Sequence, residues 1–459
     1  MEKPSRYVWM LSGIAAMGGL LFGYDWVVIG GAKPFYEKYF ELNSEELVGW
    51  ANSCALLGCL LGSMISGAVS DRFGRKKLLV TSALLFAVSS IMTGWAMTFT
   101  AFILWRIVGG VAIGIASNVS PTYIAEISPP EMRGRLVAMN QLTIVIGILA
   151  AQIVNWWIAQ KVPEQATADM IRLSWNGQFG WRWMFTAVAI PSVVFFVSAL
   201  FVPESPRWLA QHGFPEKARV ILRRIGGERY GDQALREIEV TTNRDDVRWT
   251  DLFNAPVLRI LGAGVFLAVL QQWSGINVIF NYAEEVYRNA GYGVSDILFN
   301  IVITGAINLV FTLVALNFVD RFGRRPLMLF GCAGIAISHL LIGLAYRMHL
   351  TGLPVLLFTL STIGCYAMSL APVTWVLISE IYPNRIRGVA VSITVSALWI
   401  ASFILTFTFP VINRLAGPSA TFWLYGGVCV CGFVFIYYRV PETKGKSLEE
   451  IERELCGIL

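Results

Sequence analysis

Asp25 and Arg106 each stand alone in an apolar stretch, the first in GGLLFGYDWVVIGG (18–31) and the second in FILWRIVGGVAIG (102–114). A carboxylate in apolar surroundings holds a proton more readily, and one beside a guanidinium holds it less readily. If the distance between the two groups changes, the carboxylate takes up and releases a proton. If it never changes, they form a permanent buried salt bridge. Three amides, Gln271, Gln272 and Asn277, interrupt another apolar stretch, QQWSGINVIFNY. Each is costly in hydrocarbon unless it faces a polar cavity or hydrogen-bonds a partner helix. A third set of residues comes in duplicate. Asp71 and Arg75 sit in GAVSDRFGRKKL, and Asp320 and Arg324 in NFVDRFGRRPL. Glu126 and Arg133 sit in YIAEISPPEMRGR, and Glu380 and Arg387 in VLISEIYPNRIRG. Glu204 and Arg207 belong to VPESPRW, which VPETKGK echoes near the end of the chain. Acid–base sets of this kind at helix ends either follow from membrane topology alone or form a charge latch. In a latch, Asp71 and Asp320 pair with arginines near neighbouring helix ends, and the pairs break when the protein changes state.

The elements that must position these residues are membrane helices. Of the 459 residues, 56% are hydrophobic and only 14% charged, and mean hydropathy is +0.60. Soluble domains carry about 25% charged residues. Runs such as LLVTSALLFAVSSIMTGWAM and MFTAVAIPSVVFFVSALFV have the ~20 residues a spanning helix needs. The ~10-residue alternation of a membrane barrel is absent. Runs and breaks predict helices near 7–31, 47–70, 77–97, 99–124, 136–160 and 181–202, then near 257–287, 295–319, 326–346, 353–378, 388–413 and 418–438. The expected fold is an all-α membrane protein of twelve transmembrane helices. Six-helix bundles over 1–202 and 256–440 are joined by a cytoplasmic helical linker (203–255) and followed by a cytoplasmic tail (441–459). Three motif pairs at matching positions of the two halves mark an internal duplication, and parallel repeats of this kind build one large transporter architecture.

Most of the 36 basic residues fall at the amino terminus, in alternate loops, in the linker or in the tail. The opposite loops hold Lys33, Lys38, Lys161, Arg172, Arg288, Arg347 and Arg414. The positive-inside rule then puts both termini in the cytoplasm. A helix entering near residue 7 carries Asp25 ~27 Å along its axis, and one entering from the other side near residue 99 puts Arg106 ~10 Å below that surface. The two lone charges therefore share a depth. The net charge of +6 is explained by topology and implies no nucleic-acid partner. The seven cysteines form no zinc-like CxxC pair and read as small packing residues. Three histidines, His212, His339 and His349, make no plausible metal or triad set, so neither a metal, a cofactor nor an enzyme is expected. The first apolar run lacks a small-residue cleavage site and reads as helix 1 rather than a signal peptide.

Together the motifs resemble the sugar porter family of the major facilitator superfamily. GYDWVVIGG, DRFGRKK, RIVGG, PTYIAEISPPEMRGR, PESPRWL, QQWSGINVIFNY, VDRFGRRP, PVTWVLISEIYPNRIRG and PETKGKSLEE run in family order from residue 23 to 450. The resemblance implies a sugar site between the halves at mid-membrane. The polar residues matching it are Gln141, Gln271, Gln272, Asn277 and Asn308, and the matching aromatics are Phe22, Trp375 and Trp399. Amides suit a pyranose because they donate and accept without carrying charge. The resemblance also makes Asp25 the proton acceptor of a symporter and Arg106 its partner. The sequence departs from the family at Asn281, where a tyrosine is usual, at Ala371, where glycine is common, and at Leu398, where an amide is common. These departures bear on which monosaccharide is carried.

The implied function is proton-coupled symport of a xylose-like pentose or hexose by alternating access. An uncoupled facilitator of the same fold, and a transporter-like sugar sensor, are the alternatives. The expected setting is the lipid bilayer of a bacterial inner membrane, with sugar and proton as ligands and the chain a monomer.

Overall fold

The computed structural model describes residues 6–163, 166–242, 255–382, 387–442 and 444, and among these residues there is no β-strand. In a bilayer each backbone polar group must find its partner inside its own segment, which a continuous helix achieves. The first half has α1 (Arg6–Tyr39), α2 (Glu45–Phe73), α3 (Arg75–Gly94), α4 (Phe99–Ile127) and α5 (Pro130–Ile158). A short α6 (Ala168–Leu173) and a π-helical turn lead to α7 (Trp181–Thr186) and α8 (Ala189–Phe201). The linker forms α9 (Pro206–Gln211), α10 (Pro215–Gly226) and α11 (Glu228–Thr242). The second half has α12 (Ala255–Trp273), α13 (Ile276–Asn281), α14 (Ala283–Asn289), α15 (Val294–Phe322), α16 (Arg324–Arg347), α17 (Leu353–Met368), α18 (Leu370–Glu380) and α19 (Arg387–Arg439).

Among the described residues, eleven stretches are long and apolar enough to cross a membrane. The last, Val389–Arg439, has 51 residues, or ~77 Å of helix where a bilayer core needs ~30 Å. It breaks at Gly417, whose φ of 80° is not helical, and so supplies two passes. The protein is a multi-pass membrane protein. The linker helices α10 and α11 are amphipathic, as their sequence spacing predicts, and bury Leu209, Ala218, Leu222 and Leu235 together.

Two differences from the sequence reading matter for the site. First, α1 does not stop near residue 31 but runs on through Pro34 to Tyr39. Second, the helix expected over 257–287 is broken. Gly275 takes a left-handed conformation, φ 84°, and the spanning stretch ends at Asn281, leaving α14 as a separate short helix.

Packing groups the chain into two units. The first comprises Met1–Trp26, Gly58–Ile148 and Phe185–Asp246; the second comprises Val27–Leu57, Leu149–Met184 and Val247–Leu459. In the second unit the C-terminal end of α1 and the N-terminal part of α2 pack with the second half of the chain. There Val48 joins a core of Val278, Tyr282, Val286, Leu405 and Phe409.

Candidate functional site

In the first unit Asp25 and Arg106 are both 3% exposed. Arg106 Nη1 donates to Asp25 Oδ1 at 3.0 Å and Oδ2 at 2.9 Å, and its Nη2 reaches the Asp25 carbonyl at 3.5 Å. The guanidinium lies 5.4 Å from the Phe185 ring centroid, a cation–π contact. Gly109 on α4 borders the pair: a Cβ there would meet Asp25 Oδ2 at 3.7 Å, an ordinary contact. Within this buried pair the carboxylate and the guanidinium neutralise one another. Phe22 and Gln141 are partly buried in the same unit.

The amides meet in the second unit. Gln271, Gln272 and Asn277 are 2%, 7% and 5% exposed. Gln271 Nε2 donates to the carbonyls of Leu370 at 3.0 Å and Ala371 at 3.3 Å, and so ties α12 to the start of α18. Gln272 Nε2 donates to Gln271 Oε1 at 3.3 Å. Asn277 Nδ2 donates to Gln272 Oε1 at 2.7 Å and Ser402 Oγ at 3.1 Å. The left-handed Gly275 breaks the helix between the glutamines and the asparagine and turns Asn277 back toward Gln272. Asn277 Oδ1 makes no hydrogen bond among the described residues and is left as an acceptor. Asn308 is buried on α15, Trp399 is 2% exposed on α19, and Trp375 is half-buried on α18.

The duplicated motifs dock on one another within each unit. Glu204 Oε1 accepts the backbone N–H of Arg75 at 2.8 Å and of Lys76 at 3.0 Å, capping α3. In the second unit Glu442 accepts those of Arg324 at 2.9 Å and Arg325 at 3.1 Å, capping α16. A carboxylate at these positions also meets the positive end of the helix dipole. Arg75 pairs with Glu126 of α4 at 3.1 Å and with Asp71 of its own motif at 3.0 Å, and Ser205 donates to Glu126. Arg324 pairs with Glu380 at 3.3 Å. Arg133 Nε donates to the Ala125 carbonyl at 3.1 Å rather than to a motif carboxylate, and Arg207 is exposed. The side chains of Asp320 and Arg387, and the tail from 445 onward, lie outside the described residues.

Sequence reasoning missed two features. Glu442 was legible in the VPET repeat, where it matches Glu204. The second is a charge cluster at the C-terminal end of α1, formed by Lys33, Glu37, Glu284 and Glu285. A lysine followed by proline read as a loop.

Charges and amides buried within spanning helices mark a membrane transporter. The chain belongs to the family described as Sugar (and other) transporter, whose model matches residues 11–455. It is 38% identical to the D-xylose-proton symporter of Escherichia coli (strain K12), over 98% of this chain and 96% of that one. It is 37% identical to the arabinose-proton symporter of Bacillus subtilis (strain 168), over 97% of this chain and 95% of that one. The inward open structure of the E. coli xylose transporter XylE superposes with a TM-score of 0.85 and 36% identity, covering 98% of this chain and 100% of that one.

Proposed function

We propose that the chain is a proton-coupled monosaccharide symporter for a pentose or hexose, working by alternating access. The observation that carries the coupling is the buried Asp25–Arg106 pair, both groups 3% exposed, in a chain similar to proton symporters for xylose and arabinose. Asp25 binds the proton. When it does, Arg106 is released to other partners, and the balance between the two states of the transporter shifts. Gln271, Gln272 and Asn277 hold the sugar hydroxyls, with Gln141 and Asn308, and Phe22, Trp375 and Trp399 pack on its C–H faces. Asp71, Arg75, Glu126, Glu204, Arg324 and Glu380, with Arg133, Arg207, Asp320 and Arg387, form the latch on the cytoplasmic side. Two six-helix bundles, 1–202 and 256–440, act as the moving parts of a monomer in a bacterial inner membrane, with both termini cytoplasmic.

The test is transport by the purified protein in proteoliposomes, across a panel of pentoses and hexoses. Sugar-induced proton uptake, and accumulation driven by an imposed pH gradient, are expected for at least one sugar. Equilibration without accumulation would make the protein a facilitator instead.

A further inference from the structure

At the C-terminal end of α1, Lys33 is 1% exposed and three carboxylates face its ammonium. Glu285 Oε1 lies at 2.7 Å, Glu37 Oε1 at 3.0 Å and Glu284 Oε2 at 3.2 Å. The other oxygen of Glu284 accepts from Arg288 at 2.6 Å. Around this core stand Tyr36 and Lys38 of α1, with Cys54 of α2 beside Tyr36. The Tyr282 ring sits 5.6 Å from Lys33 Nζ. Lys33 and Arg288 are the cations in ion-pair contact with the three acids, so direct pairing leaves one negative charge over, while Lys38 acts on Glu37 and Glu284 from farther off. A buried site does not hold a spare charge cheaply, and carboxylates crowded on one cation resist ionising together.

Glu284 and Glu285 are not equivalent. Burial works against ionisation of Glu284, yet Lys33 and Arg288 hold it below the ordinary carboxylate range. Glu285 has no such second cation. Its Oε2 is buried with no hydrogen bond among the described residues. It lies beyond the spanning stretch Val257–Asn281. Burial pushes it up to about 7 against the pull of Lys33, with Glu284 and Glu37 adding to the rise.

We propose that the Lys33 cluster is a proton-binding site distinct from Asp25, with the proton on Glu285, and that this proton steadies the attachment of α1 to α14. Exposed to water, Glu285 returns to the ordinary carboxylate range and the proton leaves. The attached arrangement therefore has the raised proton affinity. Its stabilisation is full at low pH and is lost as pH rises through the attached-state value. This site does not depend on what Asp25 does.

Infrared difference titration of the full chain in lipid nanodiscs tests it, following the carbonyl stretch of protonated carboxyl groups. A band that is present at about pH 6 and lost by about pH 8 is expected. It should persist in Asp25→Asn and vanish in Glu285→Gln. Glu37→Gln removes the spare charge by another route and should also abolish the band in that range, which keeps the test open if Glu285→Gln does not fold. A band unchanged in both glutamine variants, or no titrating band in the wild type, overturns the proposal. Loss of the band in Asp25→Asn alone would assign it to Asp25 and also overturn it.

Discussion

Asp25 and Lys33 lie about two turns apart on α1, and both are buried, but they are neutralised differently. Asp25 meets a single guanidinium, from Arg106. Lys33 meets three carboxylates. On the proposed function, a proton at Asp25 competes with the arginine, and binding it undoes the ion pair. On the further proposal, a proton at the Lys33 cluster relieves repulsion among the acids. The two proposals together make the same ligand loosen one site and steady the other. What a buried charge does on protonation depends on whether its surroundings undershoot or overshoot its compensation.

The largest effect that separates the two sites comes from Asp25→Asn. The variant keeps the shape and hydrogen-bonding capacity of the side chain but cannot cycle a proton. Accumulation driven by a pH gradient should disappear, while exchange of labelled for unlabelled sugar in proteoliposomes continues. Intact accumulation would remove Asp25 from the coupling step.

Lys33→Met tests the other side of the contrast. It leaves three carboxylates around an apolar tip, and losing one partner of a buried charge set costs about 3–5 kcal/mol. A clear fall in thermal unfolding temperature is expected for the purified variant, partly recovered by adding Glu37→Gln and Glu285→Gln. An unchanged transition would mean that water already reaches the cluster.

A neutral buried group sharpens the comparison, because it should affect ligand binding without affecting proton coupling. If Gln272 holds sugar as proposed, Gln272→Ala leaves a sugar hydroxyl unpaired, at a cost of about 1–3 kcal/mol. Sugar affinity measured by calorimetry should fall roughly tenfold to a hundredfold. Unchanged affinity would exclude Gln272 from the sugar site.

The smallest effect is expected at partly solvated charges. Glu442→Ala uncaps α16 and should cost about 1 kcal/mol, read as a modest loss of thermal stability with pH-driven accumulation retained. Loss of accumulation would give Glu442 a role beyond capping.

The sequence carried the membrane class, the duplication and the lone charges of α1 and α4, because composition and residue type alone are informative where water is scarce. Asp25 and Arg106 were legible for that reason. Lys33 was not. Gly30, Gly31, Lys33 and Pro34 read as a helix end, since glycine and proline both disfavour a helix interior. Packing of the C-terminal end of α1 in the second unit carries the helix through them. A Cβ on Gly30 would sit 2.4 Å from the Phe280 carbonyl, so that glycine serves a close approach rather than a stop. The break at Gly275 was equally invisible, because an apolar run has no period that a single left-handed residue disturbs. Partner choice among the duplicated acid–base motifs was also beyond the sequence. Two acids and several arginines at one helix end leave the pairing to geometry, and Asp71 takes Arg75 from its own motif.

The turn glycines of the duplicated motif bear on how such a protein can change over generations. Gly74 has φ 94° and Gly323 φ 92°, and a Cβ would sit 2.1 Å from Glu204 Oε2 in one copy and 2.6 Å from Glu442 Oε2 in the other. Replacing the glutamate clears that space but leaves the backbone in a region that side chains avoid. The glutamate can thus be exchanged while the glycine stays, but the glycine cannot be exchanged on either background. Each motif copy drifts in one direction only, through its acid, and an insertion or redesign that respects the two glycines has far more sequences open to it than one that does not.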